Sequence, residues 1–109
     1  MNKELAGAST VMLVLGLLAR EPMHGYQLVK QANEQSEGAF TWQEGTIYPI
    51  LHKLEHEGLV RAQWQAGEAG RRRKVYEVTQ RGRESLHERA REWGQVHTML
   101  QNILEAQHA

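Results

Sequence analysis

The sequence predicts a mostly α-helical fold that carries one β-hairpin, an α+β chain. In residues 46–58, the apolar residues Ile47, Ile50, Leu51 and Leu54 recur at helical spacing, and Gly58 supplies a stop because glycine accepts the left-handed backbone. Immediately afterwards, two runs of β-preferring residues flank a tip rich in glycine and arginine at residues 66–73. A helix, a stop and a hairpin in this order predict a helix-turn-helix domain with a wing.

Three helices are predicted before the hairpin. The first covers about residues 5–19 and is apolar nearly all round from Val11 onward, so we expect it in the core, and Pro22 follows its end. The second begins near His24 and runs to about Gln35. The third begins between Glu44 and Thr46, because we expect Pro49 in the first turn, where a proline costs little. A start at Thr41, which has the sequence of a capping box, would place this proline in the helix interior at about 3 kcal/mol.

The hairpin strands are predicted at residues 59–65 and 74–78, where Trp64, Val75 and Tyr76 are β-preferring side chains. Thr79 is the predicted N-cap of a last helix of about 25 residues. An apolar stripe at alternating four and three spacing runs along this helix and is too wide for an exposed helix. We expect it to pack against the same helix of a second subunit, through Leu86, Ala90, Trp93, Val96, Leu100, Ile103 and Leu104.

The length of 109 residues fits one compact domain. Within it we expect a winged helix-turn-helix at residues 1–78 and a C-terminal dimerisation helix at residues 79–109. The chain has no cysteine, which excludes disulfides and thiolate metal sites. The apolar segment at residues 5–19 is shorter than the roughly 20 residues that span a bilayer, and its flanks are not those of a signal peptide. We expect a cytoplasmic protein with no membrane partner and no cofactor.

Charge is distributed unevenly along the chain, although the formal net charge is zero. Residues 71–91 contain eight basic and three acidic side chains, whereas residues 1–70 contain five basic and eight acidic ones. A dense basic patch on an otherwise acidic scaffold attracts phosphate locally. The distribution therefore predicts salt-dependent binding to a nucleic acid.

The third helix and the basic tip together predict contact with double-stranded DNA. A helix-turn-helix places its second helix in the major groove with the N-terminal residues toward base edges, which makes Thr46 and Tyr48 candidate contacts and Lys53 a phosphate contact one turn later. The wing arginines suit phosphate or the minor groove because guanidinium donates in a fork. The predicted DNA-binding residues are Tyr26, Thr46, Tyr48, Pro49, Lys53, Arg71, Arg72, Arg73 and Lys74.

Several segments resemble those of PadR-type transcriptional regulators, a winged-helix group, and the resemblance runs nearly from end to end. The segments are residues 23–28 (MHGYQL), 45–51 (GTIYPIL), 54–60 (LEHEGLV) and 70–76 (GRRRKVY), followed by Val78, Thr79 and Gly82. The single C-terminal helix is similar to that of the short subgroup, which implies a homodimer formed through that helix. Arg72 stands where proline is frequent in the family, which affects the stiffness of the loop more than its function.

Some members of that subgroup respond to flat aromatic or multidrug-like ligands. The resemblance implies a ligand site at the dimer interface here, with the Trp93 indole for stacking and Val96 and Leu100 beside it. From all these features we expect a homodimeric regulator that binds a pseudo-palindromic operator, a repressor that such a ligand releases, and not an enzyme.

Other interpretations of the same residues stay open. His52, Glu55 and His56 match the H-x-x-E-H pattern of inverted zinc peptidases, but such a site needs a third ligand and a cleft in a larger scaffold. The winged-helix fold also serves as a protein-contact module, whose wing would be expected to carry exposed apolar groups. For single residues, the plainer interpretations are a partly buried Tyr48, a solvated Lys53, a solvated arginine tip and a Trp93 that only fills the interface.

Overall fold

The computed structural model describes residues 3–67 and 70–108, with side chains from 7 to 67 and from 70 to 107. The elements in chain order are α1 (Lys3–Arg20), β1 (Met23–His24), α2 (Gly25–Gln35), α3 (Glu44–His56), β2 (Val60–Ala66), β3 (Arg72–Val78) and α4 (Gln80–His108). The predicted fold class, helices with a winged hairpin, is confirmed. None of the helices in the described ranges is long and apolar enough to cross a membrane.

The core forms where α1 lies beneath the other helices. Val14, Leu15 and Leu18 of α1 are buried against apolar side chains from α2, α3 and the sheet. The same cluster of buried residues includes Leu28, Ala32, Ile47, Leu51, Leu54 and Tyr76. The loop between α2 and α3 is held by Trp42, whose indole Nε1 donates to Thr10 Oγ1 at 3.1 Å within the core. The central position predicted for the first helix is therefore confirmed.

The wing is part of a three-stranded antiparallel sheet in the order β1-β3-β2. The sequence predicted the hairpin but not β1, whose two residues pair with β3 as Met23↔Tyr76 and His24↔Val75. A strand of two residues has no periodicity that a sequence could reveal. The third β-strand begins at Arg72, two residues before the predicted start, so Arg72 and Arg73 belong to a paired strand and not to the tip.

Helix α3 begins at Glu44, within the predicted interval, and its N-cap residue Gln43 makes no side-chain hydrogen bond. Pro49 is nevertheless the sixth residue of the helix, so the expectation that it lies in the first turn is wrong. Proline has no backbone N–H, so it cannot donate the helical hydrogen bond to the carbonyl of Gly45, four residues earlier. Gly45 and Pro49 are both exposed, so water can hydrate the carbonyl that is left free.

Two cap residues fix the helices that border the sheet. The His24 side chain accepts from the backbone N–H of Gln27 at 3.2 Å, and the Gln27 side chain accepts from the His24 N–H at 3.0 Å, which is a reciprocal capping box at the start of α2. At the start of α4, Thr79 Oγ1 accepts from the N–H of Gly82 at 3.1 Å and donates to the carbonyl of Gly58 at 2.8 Å. Gly58, with φ of +78°, ends α3 in the left-handed region as predicted.

Candidate nucleic-acid interface

Helix α3 presents one buried face and one open face. Ile47, Leu51 and Leu54 are buried in the core, and Ile50 packs against it. The opposite face carries exposed polar and basic side chains together with a proline, namely Thr46, Pro49, His52, Lys53 and His56. The amphipathic pattern in the sequence thus predicted which side of this helix is free.

Tyr48 lies between these two faces, and its ring covers the start of α2. A Cβ atom added at Gly25 would lie 2.5 Å from Cε1, Cζ and Oη of Tyr48. Gly25 is therefore the residue that leaves room for the phenol ring. Burial, then the charge of Glu44 and then Tyr76, raise the pKa of Tyr48 above its ordinary value, so the phenol keeps its proton at neutral pH.

The pleat of the hairpin sorts the basic residues of the wing onto two sides. Since side chains alternate along a strand, Trp64, Arg72 and Lys74 share the face that carries the buried Tyr76. Cations and rings lie together on this face: the Arg72 guanidinium is 5.8 Å from the centroid of the Trp64 ring, and Lys74 Nζ is 5.4 Å from that of Tyr76. Both distances fall within the range of cation–π contacts.

Lys74 also links the wing to α3. Its Nζ lies 3.5 Å from Glu55 Oε1, and both side chains are about one-third exposed. An ion pair of this exposure contributes about 0–1 kcal/mol. The pair thus adds little to stability, but it partly neutralises one of the predicted DNA-binding cations.

A groove of about 580 Å³ runs between the start of α2, the open side of α3 and the wing. It contains four aromatic rings, two imidazoles and two cations, and it is lined by His24, Gly25, Tyr26, Tyr48, His52, Trp64, Arg73, Lys74 and Tyr76. Four of the predicted contacts are thereby brought together, namely Tyr26, Tyr48, Arg73 and Lys74. The other five, which do not line the groove, are Thr46, Pro49, Lys53, Arg71 and Arg72.

Sequence reasoning did not predict a DNA contact for His24, Gly25, His52 or Trp64, which also line this groove. Trp64 is 59% exposed on the wing, and Tyr26 is 63% exposed at the start of α2. His24 packs its ring beside Tyr26 at a centroid distance of 6.3 Å. In the sequence, the segment around Gly25 and Tyr26 was the only indication of this arrangement.

The surroundings of His24 favour the neutral form of its imidazole. Burial, and then the positive charge of Arg73, lower the pKa of His24 below its ordinary value. Its Nδ1 accepts from the N–H of Gln27 in the cap of α2, a bond that a protonated Nδ1 could not make. The same side chain thus caps a helix and borders the groove.

Helix α4 presents a long apolar face outside the helix-turn-helix. The exposed apolar side chains on it are Trp93, Val96, Met99, Leu100, Ile103 and Leu104. Leu86, which the sequence assigned to the dimer interface, is half-buried and packs on the core of its own chain. Ala90 is exposed. The dimer role of the stripe stays a prediction, and Leu86 already has a packing role within its own chain.

The zinc interpretation finds no support in the geometry. Within the described part of the chain, no group of three or more histidine, aspartate or glutamate side chains lies close enough together to hold a metal ion. Glu55 instead pairs with Lys74 of the wing, while His52 and His56 lie on the exposed face of α3.

The model of the transcriptional regulator PadR-like family matches residues 14–88, more than half of the chain. The chain belongs to this family. Its members are transcriptional regulators and not enzymes, so the protein is a transcriptional regulator and the hydrolase alternative is excluded.

Individual relatives agree with this family. A transcriptional regulator of Mycobacterium tuberculosis is 34% identical over 86 residues, which is 79% of this chain and 77% of that protein. The crystal structure of a PadR-family regulator from Eggerthella lenta matches with a TM-score of 0.81 and 34% identity, over 94% of this chain and 87% of that one. Bacillus subtilis PadR, solved in complex with operator DNA, matches with a TM-score of 0.66 and 27% identity, over 72% of this chain and 44% of that one.

Proposed function

We propose that this regulator binds operator DNA as a homodimer and represses the genes that follow the operator. The observation that carries the proposal is that the open side of α3 and the basic wing border one continuous groove. The wing supplies Arg71, Arg72 and Arg73, which are all exposed. The Bacillus subtilis relative that was solved with operator DNA supports this direction.

The proposed contacts divide by chemistry. Thr46 and Tyr48 near the start of α3 face base edges or phosphates, as the N-terminal part of a recognition helix does. Tyr26, Pro49 and Lys53 border the same surface, and Lys53 reaches phosphate as a point charge. The wing cations bind phosphate or the narrow minor groove, and they are Arg71, Arg72, Arg73 and Lys74.

Homodimerisation is proposed through α4. Its exposed apolar face is a stripe that water would otherwise cover, and burying it against a second copy is favourable at about 25 cal/mol per Å². Two copies related by a two-fold axis would present two recognition helices about one helical turn of DNA apart. We therefore expect a pseudo-palindromic operator.

The test is an electrophoretic shift assay on the DNA directly upstream of the protein's own gene, repeated across salt concentrations with an unrelated duplex as competitor. Wild-type protein should shift the upstream DNA in preference to the competitor. The double variant Arg72→Ala and Arg73→Ala should bind more weakly, with a salt slope lower by about 0.9 for each phosphate that the wing no longer neutralises.

A matched control removes two cations elsewhere. Arg20→Ala with Lys30→Ala changes the net charge equally, and both residues are exposed outside the groove. This control should bind like wild type. Equal binding of the upstream DNA and the competitor, or equal weakening in both double variants, would contradict the proposal and favour a wing that contacts another protein.

The proposal also includes control of operator binding by a small-molecule effector. Trp93 is 40% exposed on α4, whereas Trp42 is buried in the core. A planar aromatic ligand stacked between the two Trp93 rings of a dimer, beside Val96 and Leu100, would change operator affinity by binding one dimer state better than the other. Titration with a planar aromatic dye should quench the tryptophan fluorescence, and Trp93→Ala should remove the part of that quenching that is due to Trp93, while the exposed Trp64 still emits. Unchanged quenching in the variant would remove Trp93 from the mechanism.

A further inference from the structure

Trp64 is a large exposed aromatic residue on the wing, and packing in the core does not explain why a tryptophan is present there. It is 59% exposed, although the same face of the hairpin holds the buried Tyr76 further along. The residue directly across from it is Lys74, and Arg72 lies diagonally across, opposite Ala66. The Arg72 guanidinium lies 5.8 Å from the centroid of the Trp64 ring.

We infer that Trp64 is a positioning residue that holds the Arg72 guanidinium ready for its contact with the DNA, an inference that rests on the proposed DNA binding. A free arginine side chain has many rotamers, and ordering one on binding costs about 0.5–1.5 kcal/mol. A guanidinium that rests on an indole face is already restricted and less hydrated, while its edge donors remain free to bind an acceptor. Among the described residues, no carboxylate forms an ion pair with Arg72 that would compete with that acceptor.

A comparison with Lys74, the other cation on this face, shows why Arg72 is the residue proposed to contact the DNA. Lys74 rests on the Tyr76 ring in the same way, but it is also paired with Glu55 at 3.5 Å. Its charge is thus already partly neutralised, and it lies deeper along the hairpin. Arg72 is the outer cation of this face and is exposed, so it is the one that can reach past the groove.

The experiment measures operator affinity and its salt dependence for wild type, Trp64→Leu, Trp64→Phe, Arg72→Ala and the Trp64→Leu/Arg72→Ala double variant. The probe is a duplex of about three helical turns that the wild-type protein selects from a random-sequence pool. Leucine keeps apolar area at position 64 but has no aromatic face, whereas phenylalanine keeps the face. Gln63→Ala, on the opposite side of the same strand, is the matched control.

We expect Trp64→Leu to weaken binding about two- to fivefold, the fold-change that corresponds to an exposed cation–π contact. Trp64→Phe should recover part of this affinity, and Gln63→Ala should bind like wild type. In the Arg72→Ala background, Trp64→Leu should have no further effect. The salt slope of Trp64→Leu should fall in the same direction as that of Arg72→Ala, although no charge is removed, and a purely structural role for the indole would not produce that change.

Two results would overturn the inference while leaving the proposed DNA binding intact. One is additive weakening in the double variant, and the other is an unchanged salt slope in Trp64→Leu. If the wild-type protein selects no duplex at all, the proposed function itself fails.

Urea unfolding of each variant checks the fold. If Trp64→Leu does not fold, Trp64→Phe is compared in the wild-type and Arg72→Lys backgrounds instead. Lysine keeps the charge without the planar group and its fork of donors, so Trp64→Phe should weaken binding less when residue 72 is lysine than when it is arginine. An equal effect of Trp64→Phe in both backgrounds would overturn the inference.

Discussion

Substitution of Gly25 by alanine tests the packing that positions Tyr48. The added Cβ would lie 2.5 Å from Cε1, Cζ and Oη of the ring, whereas carbon atoms pack favourably at about 3.5–4.0 Å. The ring must therefore move by about 1 Å to restore that separation. The backbone at Gly25 has little freedom to move instead, because it is buried and directly follows the paired strand β1.

The expected cost is moderate, because the ring has an open side. Forcing extra atoms into a packed site costs about 1–3 kcal/mol. Alanine recovers up to about 1 kcal/mol relative to glycine through its helix propensity, although less at the first helical position. Tyr48 is half-buried and can turn outward, so we expect a net destabilisation of about 1–2 kcal/mol. In a domain of this size, each kcal/mol of destabilisation lowers the melting temperature by about 4–8 °C.

A double-mutant cycle isolates the clash. The urea midpoints of wild type, Gly25→Ala, Tyr48→Ala and the double variant are compared at one protein concentration, because the stability of the proposed dimer would depend on concentration. Without the ring, alanine at position 25 meets no obstacle and should be neutral or stabilising. If Gly25→Ala costs the same in the Tyr48→Ala background as in wild type, the Tyr48 ring is not what requires glycine at position 25.

Three further predictions concern the caps and α4. Burial and then Arg73 lower the pKa of His24, so below about pH 6.5 the folded state binds fewer protons than the unfolded state. Wild type should therefore lose stability against urea as the pH falls below about 6.5. The reference variant is His24→Asn, which keeps a side-chain acceptor for the cap but does not titrate there. Thr79→Ala should cost about 1–2 kcal/mol of unfolding free energy because it removes the cap and the bond to Gly58, while Thr79→Ser should cost less. Leu100→Glu should convert the proposed dimer to a monomer, measured by sedimentation velocity, without loss of helix; a variant that keeps the mass of a dimer would contradict pairing through α4.

The helices and the hairpin could be predicted because local chemistry specifies them. The 3.6-residue periodicity of α3, the left-handed Gly58 and the Thr79 cap each act over a few residues, and each has a sequence signature. Strand β1 has none, because its two residues become a strand only by pairing with β3. Pro49 was misplaced for a related reason: its cost depends on whether the Gly45 carbonyl can reach water, which the fold decides.

In the candidate site, too, some features could be predicted from the sequence and others depend on how the elements pack. The exposure of Thr46, Lys53 and Arg71 followed from helix faces and charge, which a sequence displays. The Tyr48 ring over the first residue of α2 and the histidine cap beside Arg73 depend on how α2, α3 and β3 meet. No spacing within one segment encodes such contacts, so they appear only once the elements are packed.

The run of three arginines shows how the fold gives different roles to identical residues. Arg71 precedes β3 and lies at the turn, where its carbonyl accepts from the N–H of Gly67. Arg72 lies on the face with Trp64, whereas Arg73 takes the opposite face and borders a second groove of about 560 Å³ together with His24. Three equal charges in the sequence thus lie in three different environments. Because the pleat separates them, single substitutions should weaken DNA binding unequally, and a solvated, featureless tip would make them equal.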